Sequence, residues 1–189
     1  MGKITIEESG AIFGPFHEAD LFHIEKSEIL RKLGDKIKTV EFVVVRNDNQ
    51  ALVFVEAKKN CPNVANRYEN EEKEKKYEEF FHDVVQKIED SIRVTLAAIL
   101  GRYGFSREVG QNMQGLTALA KRPLQFVLVL TNPEIDISWL SGPKAELEKR
   151  LLSIRKTWGL EVTVMNRELA EKYHLITKQE KLNVHNIVR

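Results

Sequence analysis

Two apolar runs, "VEFVVV" at 40–45 and "ALVFVEA" at 51–57, stand on either side of the polar break "NDNQ". Both are rich in β-branched and aromatic residues and the break is turn chemistry, so the pair predicts a hairpin that belongs to a core. That hairpin carries two acids where core strands avoid them: Glu41 near the start of the first run and Glu56 near the end of the second. If Asp48 and Asn49 make a two-residue turn, Val45 lies opposite Leu52, Val43 opposite Phe54 and Glu41 opposite Glu56. Alternate residues share one face of a sheet, which sets the two carboxylates across from each other with Cβ atoms about 5 Å apart. Lys58 projects from the same face.

Like charges facing one another in a sheet repel, and burial strengthens the repulsion by lowering the local dielectric. Three arrangements compensate: a shared proton that raises one carboxyl's pKa, a cation such as Lys58, or a divalent metal ion held by both acids. Hard cations prefer oxygen ligands and keep several waters, so two protein acids plus substrate phosphate oxygens suffice for Mg²⁺. Two acids and a lysine on one strand face are a minimal set for metal-dependent phosphodiester hydrolysis. The ion polarises the phosphoryl group, and the lysine orients the attacking water. The plainer alternative is a pair of strand ends that reach solvent and carry an ion pair worth at most about 1 kcal/mol.

The rest of the chain supplies partners for the hairpin. "KITIE" (3–7) alternates as a short edge strand does, and "DLFHIEK" (20–26) is a second strand candidate. Ser27 caps a short helix over 27–34 that Gly34 ends. No Gly or Pro occurs from Val64 to Leu100, and Tyr77, Phe81, Val84, Ile88, Ile92, Leu96 and Ile99 recur at helical steps. The start of that stretch, "RYENEEKEKK", reads as a solvated extension with spaced opposite charges. A weaker helix is expected over 106–122, where two glycines each cost about 1 kcal/mol. "LQFVLVLT" (124–131) is continuously apolar, as a strand covered on both faces is. Pro143 is placed as the first residue of a helix running to about Thr157. "LEVTVM" (160–165) makes a last strand, and Asn166 caps a final helix through Tyr173. Strands separated by helices make an α/β fold, with 1–177 as one domain and 178–189 as a polar tail.

An acid on one strand, followed by an apolar strand ending Glu-x-Lys, resembles the PD-(D/E)XK nuclease superfamily. Glu56-Ala57-Lys58 matches the (D/E)-x-K element and Glu41 the preceding acid, with Glu for the commoner Asp and Val40 where that family often has Pro. Two other Glu-x-Lys triplets, at 71–73 and 74–76, lie in the charged start of the long helix and lack the strand context. The resemblance implies a restriction-endonuclease-like αβββαβ core, a central mixed sheet flanked by helices, onto which residues 20 to about 131 can be laid. It further implies Mg²⁺ or Mn²⁺ held by Glu41 and Glu56, Lys58 at the attacking water, DNA as the partner and a homodimer as a common assembly. Members often add an acid from an early element, for which Glu18, Glu25 and Glu28 are all candidates. Gln86, on the helix after the motif, reads first as a helix-surface glutamine, and the resemblance offers an approach to the site as the alternative. A fold that keeps this architecture and loses the chemistry would be a binding or regulatory module.

Bulk properties narrow the field without deciding it. A net charge of +1 neither supports nor excludes a polyanionic partner. Lys121, Arg122, Lys144, Lys149, Arg150, Arg155 and Lys156 would need to share a face to act on phosphate. The single cysteine, Cys61, forms no internal disulfide, which fits a reducing cytoplasm, and its basic neighbours suggest a lowered pKa. No run reaches the roughly 20 apolar residues of a membrane span. The five histidines have no ligand spacing, and no Gly-rich phosphate loop or nucleophile elbow is present.

Overall fold

The computed structural model describes residues 2–46, 51–102, 104, 107–114 and 122–178. The strands are β1 (Lys3–Glu8), β2 (Ala11–His17), β3 (Leu21–Phe22), β4 (Phe42–Arg46), β5 (Ala51–Lys58), β6 (Leu124–Leu130) and β7 (Glu161–Asn166). The helices are α1 (Glu28–Leu33), α2 (Glu71–Ile99), α3 (Ser141–Arg150), α4 (Leu152–Trp158) and α5 (Arg167–Lys172). Five strands form a mixed sheet in the order β3-β4-β5-β6-β7, antiparallel up to β5 and parallel beyond it. Parallel neighbours need a crossover, and α2 supplies the one from β5 to β6, as α3 and α4 do from β6 to β7.

The hairpin has the register that a two-residue turn demands. Val45 pairs with Leu52, Val43 with Phe54 and Phe42 with Val55. The turn residues, 47–50, lie outside those described. Side-chain alternation then divides the sheet into two faces. Leu52, Phe54, Val43, Phe126 and Leu128 pack with the buried stripe of α2, including Tyr77, Phe81, Val84 and Ile88. Val53, Val55, Val44, Val127 and Val129 pack on the other side against β1, β2 and α5. The sheet is therefore covered on both faces, which is why β5 and β6 are apolar at every position but Glu56, Lys58 and Gln125.

Local signals set most element ends. The Ser27 hydroxyl accepts from the Leu30 N–H (3.1 Å), Asn70 caps α2 through the Lys73 N–H (2.9 Å) and Asn166 caps α5 through the Leu169 N–H (3.0 Å). Gly159, at φ 64°, closes α4 in the left-handed region. Pro143 is the third residue of α3 rather than the first, still within the turn whose N–H groups have no partner inside the helix. The single helix expected to Thr157 is broken at Leu151, whose φ and ψ of −89° and 12° divide it into α3 and α4.

Three elements differ from the sequence reading. The expected strand over 20–26 is reduced to the two residues of β3, with a 3-10 turn on each side. Its outer edge is used by the 107–114 segment, where the Gly110 N–H donates to the Leu21 carbonyl (3.0 Å). A Cβ at Gly110 would stand 2.5 Å from the Ala19 carbonyl oxygen, so that approach requires glycine. Second, α1 keeps its expected place between β3 and β4, which departs from the helix-first αβββαβ order that the resemblance implies. Third, β2 ("AIFGPFH") was not anticipated, because Gly14 and Pro15 disguise it. It pairs with β1 across a register shift between Ile4 and Ile6, with Gly14 at φ 97°. Of the helix expected over 106–122, only 107–114 and Arg122 are described, and Gln111–Met113 form a 3-10 turn. The expected tail lies outside the described residues apart from Lys178.

Candidate active site

Glu56 lies on β5, flanked by β4 and β6, and its residue surface is 0% exposed, against 5% for Glu41. A solvated ion pair at strand ends is thereby excluded. Glu41 sits one residue before β4, its N–H donating to the Val55 carbonyl (3.1 Å). Helix α2 fixes this lead-in: the Lys38 N–H donates to Asp90 Oδ2 (3.3 Å) and the Val40 N–H to Ser91 Oγ (2.8 Å). Because Glu56 and Lys58 share the face of Leu52 and Phe54, both project toward α2.

Helix α2 also contributes a cation. Lys87 Nζ stands 2.9 Å from Glu56 Oε1 and 3.9 Å from Glu41 Oε1, tying the two acids to one ammonium. Lys58 Nζ approaches the same Glu56 oxygen at 3.1 Å and Asp83 Oδ2 at 3.5 Å. Asp83 in turn takes Lys38 Nζ at 2.8 Å. Asp83, Lys87, Asp90 and Ser91 follow one another at helical steps beside the apolar stripe, so a single helix face supplies both core contacts and site chemistry.

On its far side Glu41 meets further acids. One carboxylate oxygen from each of Glu8, Glu25 and Glu41 lies within 4.8 Å of the others. Glu25 comes from the 3-10 turn Ile24–Lys26 and Glu8 from the end of β1, where Lys26 Nζ reaches it at 3.1 Å. Of the three early acids considered, Glu25 is the one brought to Glu41. Glu28 pairs with Arg31 at 3.8 Å, its backbone N–H held by Glu108, and Glu18 lines a separate cleft beside Arg107 and Gln111.

The electrostatics follow from burial. Burial, then the hydrogen bond to Glu25 and the charge of Glu56, push Glu41 up to about 9, so it carries a proton at neutral pH. Burial also pushes Glu56 upward, against the pull of Lys87 and Lys58. Burial opposes the charge of Lys87, but Glu56 outweighs it and raises the lysine above its ordinary value. Asp83 is lowered despite its partial burial, chiefly by Lys38 and Lys58. Two of the three compensations open to facing acids are therefore present: a proton held on Glu41, and ammonium groups at Glu56. Apart from the contact between the Glu41 and Glu25 carboxyls, Glu41 Oε2 and Glu56 Oε2 have no hydrogen-bond partner among the described residues. Buried carboxylate oxygens left this way are costly unless another group meets them.

The residues present fit a hard divalent cation. Their donors are all carboxylate oxygens, two of them are unpartnered, and Glu8 and Glu25 extend the set from the side opposite Lys87.

Sequence reasoning missed Lys87, Asp83 and Glu8. A lysine and an acid four residues apart beside a buried stripe were the available signal for the first two. Among the described residues no hydrogen bond joins Gln86 to the acids; its neighbour Lys87 is the residue that reaches them. Cys61 also reverses expectation, since burial raises its thiol to about 12. Among the C-terminal cations, Arg150 pairs with Glu146 and Glu78, and Lys144 and Arg155 with Glu148, so their charge is partly spent within the chain.

Compared with protein-family models, with curated proteins and with solved structures, the chain matches none of them. Among the described residues no helix is long and apolar enough to cross a membrane.

Proposed function

We propose that this chain is a divalent-metal-dependent nuclease of the PD-(D/E)XK, restriction-endonuclease-like class, hydrolysing DNA phosphodiester bonds. One observation carries the reading: Glu41, Glu56 and Lys58 converge on the α2 face of the sheet, with two buried carboxylate oxygens lacking partners. Glu41 and Glu56 would hold Mg²⁺ or Mn²⁺, with Glu25 and Glu8 available to complete the oxygen set. Such an ion, when bound, polarises the phosphoryl group and offsets the charge that builds on its oxygens.

The chain's own residues do the rest. Lys58 is the more solvent-accessible of the two lysines at Glu56, with 28% of its side chain exposed against 13% for Lys87. As an ammonium it donates to the attacking water and steadies charge on the five-coordinate phosphorus. The water oxygen would bond to phosphorus as the P–O ester bond breaks, the water's proton passing to bulk water and the departing oxygen taking one from bulk water. Asp83 holds Lys58 in place from α2. Glu41 must give up its proton before it can serve as an anionic ligand, so cation uptake should release a proton.

Lys87 favours a second reading, a binding or regulatory module that keeps the architecture without the chemistry. Its ammonium already sits at both acids and neutralises part of the charge a metal would. Mn²⁺ titration by calorimetry, paired with cleavage assays on linear, circular and branched DNA, separates the two. The nuclease binds Mn²⁺ through Glu41 and cleaves, and both Glu56→Ala and Lys58→Ala abolish turnover. Cleavage that survives those substitutions removes the assignment, and absence of both uptake and cleavage leaves the module.

A further inference from the structure

Past Lys58 the chain enters a cavity of about 760 Å³ between the carboxyl ends of β5 and β6 and the start of α3. That volume lies within the roughly 300–1,000 Å³ typical of small-ligand pockets. The two strand ends are laced together: the Thr131 N–H donates to the Lys58 carbonyl (2.9 Å) and the Asn132 N–H to the Lys59 carbonyl (3.1 Å). Leu130, level with Lys58 in the parallel register, lines the cavity and belongs to the α2 face of the sheet. The cavity thus adjoins Lys58 on the side of the sheet that carries the acids. Asn60 is only two residues on, about 7 Å along an extended chain.

Its chemistry is that of a base pocket and not of a phosphate site. No lysine or arginine is among the described residues that line it. The walls include Val64 and Pro143, and Trp139 contributes an indole whose residue surface is 53% exposed. A half-exposed tryptophan beside apolar walls offers a stacking face of the kind unpaired bases use. The polar lining consists of the amides of Asn60, Asn63 and Asn132, the Glu134 carboxyl and the Ser138 and Ser141 hydroxyls. Asn132 Nδ2 donates to Asn60 Oδ1 (2.8 Å) while Asn132 Oδ1 accepts from the Glu134 N–H (3.0 Å). This chain of bonds orients the Asn60 amide, leaving its Nδ2 hydrogens and a second Oδ1 lone pair to offer to a base edge.

We infer that this cavity receives an unpaired nucleobase of the nucleic acid, stacked on Trp139 and hydrogen-bonded by Asn60, adjoining the phosphodiester at Lys58. The inference rests on the nuclease reading for its ligand class and deepens it: a base inside a duplex cannot enter, so the substrate is single-stranded, flapped, gapped or branched.

The test is binding by the full chain in chelator, using a single-stranded DNA oligonucleotide that carries 2-aminopurine and a fully paired duplex of the same sequence. Saturating protein should quench the fluorescence of the single strand and not of the duplex. Trp139→Ala should weaken single-strand binding about ten-fold and abolish the quench, Trp139→Phe should restore most of both, and Asn60→Leu should weaken binding several-fold. Unchanged fluorescence, absence of binding, or a Trp139→Ala protein that binds as the wild type does would overturn the proposal. Mn²⁺ uptake measured on the wild-type protein keeps the two readings apart. Uptake without quenching removes the base pocket alone, and quenching without uptake removes the metal-dependent chemistry alone.

Discussion

Replacing Glu41 by glutamine removes a proton-binding step that the folded protein imposes on itself. In the native state Glu41 titrates near 9 against 4.5 for the unperturbed group, so between those values the folded chain holds one proton more than the unfolded chain. Stability then falls as pH rises: the contribution is fully present below 4.5 and is lost progressively as pH climbs toward 9. One proton corresponds to about 1.4 kcal/mol per pH unit, so from about pH 5.5 to about pH 8.5 the ceiling is about 4 kcal/mol. Glutamine keeps the shape of the neutral carboxyl and an N–H that can reach Glu25, but does not titrate. Urea unfolding of both proteins in chelator should show the stability of Glu41→Gln gaining on wild type by about 1 kcal/mol per unit as pH rises. The reasoning fails if the two profiles stay parallel, because Glu41 would then not be the group that takes up the proton.

The same linkage predicts that Mn²⁺ affinity falls as pH is lowered and that uptake releases about one proton, read by calorimetry in buffers of different ionisation enthalpy. Lys87→Met leaves the buried Glu56 carboxylate with Lys58 alone, which should destabilise the metal-free protein by about 3–5 kcal/mol in urea unfolding, and Glu56→Gln in the same chain should recover much of it. Ser27→Ala removes the side-chain cap of α1 and should cost about 1 kcal/mol without altering Mn²⁺ uptake. Cys61, its thiol raised to about 12, should react with a maleimide at neutral pH far more slowly than free cysteine, and unfolding should abolish the difference.

The hairpin was legible because its determinants are local. The register expected from a two-residue turn is the one the strands show, and a period of two then fixes which side chains share a face, so Glu41, Glu56 and Lys58 were placed together before any tertiary contact was known. The long helix and its buried stripe followed from spacing, and two helix caps, Ser27 and Asn166, from residue type at the boundary. The sequence also held Lys87 and Asp83, but nothing local distinguished them from the charged residues along the solvated start of the same helix. Which flank of α2 turns toward the acids depends on how the helix rolls on the sheet, a choice made by packing Phe81, Val84 and Ile88 against β4, β5 and β6. Glu8 and Glu25 reach Glu41 only because the β1–β2 hairpin closes one face of the sheet and the turn after β3 bends back toward β4. Proximity of that kind arises between segments far apart in the chain. Spacing and propensity act within a turn or a strand pair, whereas the charge balance that lifts Glu41 to about 9 is summed over every neighbour the tertiary structure brings within reach.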